Sequence, residues 1–402
     1  MDTHVNHPRK KPIHDDLPLP DDKSDEEQLD SESEDEDKTQ KPKKDINTHT
    51  TGRTLWTQLN YAIFLTQQMR CQDETYLSML TELRDKSFTM AKQHAEMLAT
   101  RTLGCKTADS DATCADFKHA PIITTRNAVL VAINFAKAKV HAKTLKQKLV
   151  VVLARDGTSA KSSPLELEER KRLLHKLDNK TANLPGMLPL VPNMPLVIKS
   201  NIETALGICN GTRCFFSRII MHPDEPEVSL DTTPTSSNVH FLKKKPLMII
   251  VKIRDPKFKK FDFLEEEILK DENGNDVVFR EFPIFAIRDT FKHEIRTGGS
   301  TEVKTISREQ FPLLPGYAIT GYTAQGQTFG KAIIDLRIPE GQHCGPTNPA
   351  DLYVLLSRMK TRKGLLILRP FQPTILQKRP RKAVFDEIHR LETLARQTNA
   401  SL

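Results

Sequence analysis

The order in which two hydropathy patterns occur constrains this chain more than any other feature. Strand-like and helix-like segments alternate in two stretches, and between them lies a stretch with strand-like segments only. In the first stretch, Pro121–Thr125 reads as a short strand. The period through Val129, Ile133, Ala136 and Val140 predicts a helix, and Leu149–Leu153 (LVVVL) predicts a second strand. Strand, helix and strand in that order suggest a parallel α/β layer. After the proline-rich segment Pro185–Pro195 the helical period stops. Short β-type runs follow at Leu196–Ile198, Cys214–Ile220, Leu247–Ile253, Val277–Phe279 and Val303–Ile306. The α/β pattern resumes with a strand at Tyr317–Gly321, another at Ala332–Leu336, a helix at Asn348–Met359 and a strand at Leu365–Leu368. A last helix, around Ala383–Arg396, aligns Val384, Ile388, Leu391 and Leu394. No repeat with a fixed period occurs, which argues against a solenoid.

Local signals refine this outline. Apolar patterning begins at Leu55-Trp56, placing a domain start near Arg53, and Asn60–Leu65 (NYAIFL) reads as a buried strand leading into Gln67-Gln68-Met69-Arg70. Asp73 suits the N-cap of a helix that buries Tyr76, Leu80 and Leu83. Ser163-Pro164-Leu165-Glu166 has capping-box register for a charged helix running to about Leu177. Asn210-Gly211 is the preferred pair for a tight hairpin turn.

Charge is divided unevenly over the 402 residues: residues 1–52 carry a net −7 and residues 53–402 a net +15. The run DDKSDEEQLDSESEDED (Asp21–Asp37) has too little apolar surface to offset its ordering entropy, so a disordered acidic tail is expected over 1–53. The basic body favours polyanion partners. Lys243-Lys244-Lys245 and Lys257–Lys260 read either as solvated loop charges or as DNA-facing clusters. No stretch approaches 18 uninterrupted apolar residues, so no membrane partner is expected. The six cysteines are scattered and form no CxxC pair; Cys209 and Cys214 read as small buried side chains, and no metal site is expected.

Two stretches can carry chemistry. In Gly316–Gly330 (GYAITGYTAQGQTFG) a strand runs into hydroxyl, amide and glycine groups that can meet a phosphate. In Asn348–Leu368, Asn348 and Pro349 suit a helix start, Leu352, Leu355, Leu356 and Met359 pack, and the helix ends at Ser357-Arg358. An arginine held there suits charge stabilisation on a γ-phosphate, although it also suits compensation of the helix macrodipole. Arg70 could equally pair with Asp73 or Glu74, and Gln325 could bond a turn. No G-x-x-x-x-G-K-[ST] occurs; Gly326–Lys331 (GQTFGK) has the wrong spacing. Val384-Phe385-Asp386-Glu387 falls inside an amphipathic pattern and is not expected to hold a metal.

With these motifs in order, Leu55–Arg369 resembles the second half of superfamily 1 DNA helicases of the petite-integration-frequency type, and most closely their relatives in Helitron transposons. Met69-Arg70-Cys71-Gln72-Asp73 looks like the family's "Arg-Gln-x-Asp" box with the glutamine displaced by one position. Tyr322-Thr323-Ala324-Gln325-Gly326 resembles its "His-Lys-Ser-Gln-Gly" box, with Tyr322 and Thr323 in place of the His and Lys. Tyr353-Val354-Leu355-Leu356-Ser357-Arg358 is similar to "Tyr-Val-Ala-Leu-Ser-Arg", whose arginine is the family's finger.

The resemblance implies a RecA-like α/β domain over 54–195 and 311–402, interrupted at 196–310 by a small β-barrel into which Leu196–Thr212 leads. It implies that Arg358 and Arg70 contact ATP with Gly326 beside them, and that Gln325 couples that site to DNA. Tyr322, Thr323, Lys199 and Asn201 would then contact DNA. ATP and magnesium are expected as cofactors only where the first motor half, with its phosphate loop, is supplied. The expected partners are single-stranded or forked DNA and that half, and a nuclear location is inferred from the substrate. The chain alone is expected to hydrolyse essentially no ATP. The alternative is a degenerate transposon-derived DNA-binding module without motor activity.

Overall fold

The structure, a computed structural model, describes residues 44–65, 68–71, 73–84, 92–104, 116–158, 165–226, 238–254, 266–270, 276–297, 300–337, 349–377 and 382–401. The chain opens with α1 (Lys44–Thr57), α2 (Glu74–Arg84), α3 (Lys92–Thr100) and β1 (Ile122–Thr124). Next come α4 (Asn127–Leu145), β2 (Leu149–Leu153), β3 (Arg155–Thr158), α5 (Leu167–His175), β4 (Met187–Leu190) and β5 (Pro195–Ile198). Then follow β6 (Arg213–Ile220), β7 (Val239–Phe241), β8 (Met248–Arg254), β9 (Glu266–Lys270), β10 (Asp276–Ile284), β11 (Ile287–Thr297) and β12 (Ser300–Gln310). The chain continues through β13 (Leu313–Pro315), β14 (Ala318–Thr320), α6 (Gly321–Ala324), β15 (Ala332–Ile334), α7 (Pro349–Leu356), β16 (Leu365–Ile367) and α8 (Lys382–Ser401). The fold is mixed α/β.

These residues form two compact units, one of 126–320 and one of 44–125 with 321–401. In the first, one hydrophobic core joins Phe135, Ala138 and Ala142 of α4 to Val151 of β2, Leu196 of β5 and Val251 of β8. Strand β2 is nearly all apolar because it is covered on both sides, and it pairs antiparallel with β4 and parallel with β7. A six-stranded sheet runs in the order β13-β5-β6-β8-β10-β9, and β12 lies between β11 and β3. Helix α4 and the later strands of this unit share one core. Among the described residues, the segment expected as a small barrel contributes β6, β8, β10 and β9 to the six-stranded sheet and β11 and β12 to the three-stranded one.

Several local expectations need correction. Helix α4 forms where predicted but turns another face inward: Leu130, Asn134, Ala138 and Ala142 are buried, whereas Val140 is exposed. Apolar residues ring this helix, and the deciding contact is polar. Asn134 donates through Nδ2 to the carbonyl of Ala318 (3.3 Å) and accepts from its N–H at Oδ1 (2.7 Å), so it must face β14. Strands β1 and β2 lie in different sheets, so strand, helix and strand do not make one parallel layer. Helix α5 starts at Leu167 with Glu166 extended before it, three residues later than the capping box implies; Ser163 and Pro164 lie outside the described residues.

In the second unit, β1, β15 and β16 form the expected parallel layer, with Ile122 opposite Ile333 and Ala332 opposite Leu365. Arg369 clasps Asp335 with two bonds of 2.9 Å. Helix α1 continues through residue 53, so the last part of the expected tail is helical; residues 1–43 lie outside the described residues. The α1 residue Trp56 donates through Nε1 to Glu387 of α8 (2.7 Å). The segment Asn60–Leu65 is not a buried strand. It runs as coil with Tyr61, Ile63 and Leu65 exposed, and its Ala62 N–H donates to Thr398 Oγ1 (3.2 Å) rather than to a sheet. An apolar run becomes a strand only where a neighbour accepts its backbone, and among the described residues no strand pairs with it.

Candidate functional site

Helix α7 delivers the strongest predicted residue. Leu352, Leu355 and Leu356 bury its inner face, and the helix ends where Ser357 and Arg358 begin a turn. Its neighbour α6 comes close because Gly321 lacks a side chain; a Cβ there would lie 3.2 Å from Leu355 Cδ2. After the turn, Phe329 N–H donates to the carbonyl of Arg358 (2.9 Å) and Lys360 N–H to that of Phe329 (3.2 Å). These bonds dock the Gln325–Phe329 loop on the end of α7.

The two predicted arginines meet on one residue. Arg70 donates through Nη1 to the carbonyl of Ser357 (2.9 Å) and through Nε to Thr328 Oγ1 (2.9 Å). Arg358 donates through Nη2 to Ser357 Oγ (2.9 Å) and through Nε to the carbonyl of Val354 (2.9 Å). The bond to Val354 occupies a last-turn carbonyl, so the macrodipole reading of Arg358 describes one of its contacts. Burial, and then the charge of Arg70, lower the Arg358 pKa from its ordinary value, with Tyr353 opposing.

Asp73 does not pair with Arg70. Its Oδ1 caps α2 by accepting from Tyr76 N–H (3.1 Å), and its Oδ2 accepts from Arg362 N–H (3.0 Å). The buried Tyr76 hydroxyl donates to the carbonyl of Leu356 (2.8 Å), and burial, Cys71 and Asp73 raise its pKa far above the ordinary phenol value. One carboxylate thus fixes the start of α2 and the loop after α7, while Tyr76 fixes the end of α7. Among the described residues no carboxylate lies within ion-pair distance of Arg70 or Arg358. Two close guanidinium groups without a counter-charge suit an anion with several oxygens.

Gln325 and Gly326 form the turn after α6, Gly326 at a φ of 82° that a side chain would strain. Gln325 and Tyr322 are exposed, and the Thr323 carbonyl accepts from Gln327 Nε2 (2.7 Å). Farther along the same loop, Thr328 accepts from Arg70 and Phe329 N–H donates to the carbonyl of Arg358. Lys199 and Asn201 lie in the other unit, where Asn201 Oδ1 accepts from Asn210 N–H (3.0 Å) and holds the predicted turn at Gly211 (φ 95°). Gln72, Asn348 and Lys257–Lys260 lie outside the described residues. Sequence reasoning did not assign roles to Thr328, Ser357, Tyr76 or Arg362. Thr328 could have been found, since it closes the same polar stretch as Gln325; Arg362 acts through its backbone and leaves no sequence signal.

No protein-family model matches the chain, and no curated protein does. Solved structures do match. The Pif1 helicase of Candida albicans aligns at 18% identity and a TM-score of 0.49, over 81% of this chain and 60% of that one. The chain is similar to Pif1 helicases. Pif1 of Bacteroides in complex with ADP-AlF3 and ssDNA aligns at 17% identity and a TM-score of 0.45, over 82% of this chain and 56% of that one. Bacteroides Pif1 bound to ssDNA aligns at 17% identity and a TM-score of 0.47, over 83% and 57%. The chain thus spans less than two thirds of the length of these relatives.

Proposed function

We propose that this chain is the C-terminal motor half of an ATP-dependent DNA helicase of Helitron type, unwinding 5′→3′ in the complete enzyme. The observation that carries the reading is the convergence of Arg70 and Arg358 on Ser357 without a carboxylate partner among the described residues. In this reading Arg358 is the arginine finger. It meets charge developing on the γ-phosphate, and its burial strengthens that interaction. Arg70 holds the turn from behind and adds a second positive charge. Gln325 and Gly326, in the same loop as the Arg70 partner Thr328, couple the nucleotide to single-stranded or forked DNA with Tyr322 and Thr323; Lys199 and Asn201 contact DNA from the other unit.

ATP supplies the phosphoryl group. The arginine pair fits its triphosphate; among the described residues no group of three or more His, Cys, Asp or Glu could hold a metal ion. The phosphate loop and the magnesium carboxylates belong, in this reading, to the first motor half as a partner, and a nuclear location follows from the DNA substrate. The missing G-x-x-x-x-G-K-[ST] also favours the second reading, a transposon-derived DNA-binding module without motor activity. Steady-state hydrolysis and fluorescent single-stranded DNA binding, with and without an ATP analogue, test both. The motor-half reading expects no turnover by the chain alone and DNA binding that shifts with the analogue. Turnover that Arg358→Ala abolishes would contradict the claim that the chain is inactive by itself, and DNA binding indifferent to the analogue would favour the module.

A further inference from the structure

A second cluster of cations, entirely within the 126–320 unit, surrounds a cavity of about 250 Å³. Arg155, Arg170, Lys243, Lys244 and Lys245 line it, and Asp156 is the one carboxylate among its lining residues. That carboxylate is already used: Arg308 donates to both its oxygens at 2.7 Å. Glu225, its side chain buried beneath the lysines, accepts from the N–H groups of Lys243 (3.0 Å) and Lys244 (2.6 Å). Glu309 is taken by Arg288 (3.0 Å) and by Lys245 Nζ (3.4 Å). The acids around the cavity therefore hold its frame and leave its rim positive. Among the described residues, Arg155, Arg170, Lys243 and Lys244 have no carboxylate within ion-pair distance.

A loop of exposed lysines is ordinarily a solvated face. This one differs in being fixed by a buried carboxylate that bonds two successive N–H groups, so the lysine stems start from a set backbone. Placing like charges together without neutralising them has a cost, and a multiply charged anion relieves it. The cavity is too small for a base pair and large enough for phosphate groups.

We propose that this cavity is a phosphate-binding site, formed by Arg155, Arg170, Lys243 and Lys244, that takes backbone phosphates of single-stranded DNA. The choice of DNA as the source rests on the function proposed above; the phosphate chemistry stands on this unit alone. The site involves none of the motif residues and gives the chain a hold on the strand independent of nucleotide.

The test uses the full chain and a fluorescent single-stranded oligonucleotide over a salt series, with inorganic pyrophosphate as a separate ligand. The variant is Arg155→Ala with Lys243→Ala and Lys244→Ala, three exposed positions where substitution leaves the fold in place. A companion, Lys243→Arg with Lys244→Arg, keeps the charge. The triple variant is expected to bind the oligonucleotide about 10-fold more weakly, with a salt slope shallower by about 2, at about 0.7 for each phosphate that is no longer neutralised, while the companion binds as the parent does. Pyrophosphate binding abolished in the triple variant, with oligonucleotide binding unchanged, would keep the phosphate site but overturn DNA as its source. Unchanged oligonucleotide affinity and slope with no pyrophosphate binding would overturn the inference and leave the motor reading standing. A parent chain that binds neither ligand would overturn both.

Discussion

Arg70 and Arg358 lie 287 residues and one residue in sequence from Ser357, yet both close on it, Arg70 through the Ser357 carbonyl and Arg358 through its hydroxyl, each at 2.9 Å. The arrangement sets two positive charges at the end of a packed helix and fixes them by bonds to backbone as well as to side chains. The charge of Arg70 weighs against that of Arg358, and both guanidinium groups are held by bonds to the turn that follows α7. The support beneath the pair is as specific as the pair itself.

Asp73 is the centre of that support. Its carboxylate caps α2 at Tyr76 and holds the Arg362 N–H. Asp73→Ala removes both acceptors and is expected to cost about 1–2 kcal/mol of stability, with Asp73→Asn costing less. Urea unfolding followed by circular dichroism measures it, and an unchanged midpoint would mean that α2 and the loop after α7 are held by other bonds.

Arg308 is the corresponding anchor of the other unit. It is fully buried, bonds both oxygens of Asp156, and donates to the carbonyls of Leu173 (2.6 Å) and Leu184 (3.2 Å). Arg308→Met strands a buried carboxylate and is expected to cost about 3–5 kcal/mol, whereas adding Asp156→Leu should recover much of the loss. Denaturant melts of the single and double variants decide this; a double variant as unstable as the single would show that the carbonyl bonds, not the ion pair, dominate.

Lys245 gives the fold a pH dependence of predictable sign. Burial disfavours its charge more than Glu309 favours it, and its pKa falls to about 8. Between that value and the ordinary lysine range the unfolded chain binds more protons than the folded one, so this residue's contribution to stability rises with pH through that window. Below about pH 8 both states are protonated and the contribution is constant. The stability of the parent minus that of Lys245→Met should therefore grow between about pH 8 and about pH 10. Unfolding curves at several pH values check it, and a flat or falling difference would contradict the assignment.

The elements were largely legible in the sequence, and what they pack against was not. Apolar runs located β2, β8 and β16, whose burial is dense enough to leave a pattern, and also β6, which buries Cys214 and Phe216 on one face. Helix α4 was legible as a helix, but its apolar residues ring the cylinder, and one polar contact of Asn134 chose the buried face. Asn60–Leu65 has the composition of a strand, and strand formation depends on a neighbour that local sequence does not encode. The meeting of Arg70 and Arg358 at Ser357 involves residues that stood out in the sequence, as Gln325 did, because their motifs are contiguous. Thr328 and Arg362 enter through one hydroxyl and one backbone N–H, bonds set by how the loops close rather than by a residue pattern.

The measurement that tests the central claim most directly is calorimetric titration of the chain with an ATP analogue at low salt, beside Arg70→Ala and Arg358→Ala. If these two arginines form half of a nucleotide site, the parent binds weakly and salt-sensitively, and each substitution weakens binding by about 10-fold, the effect of removing one charge-assisted hydrogen bond. Binding that is the same in all three proteins, or no binding by the parent, would contradict it.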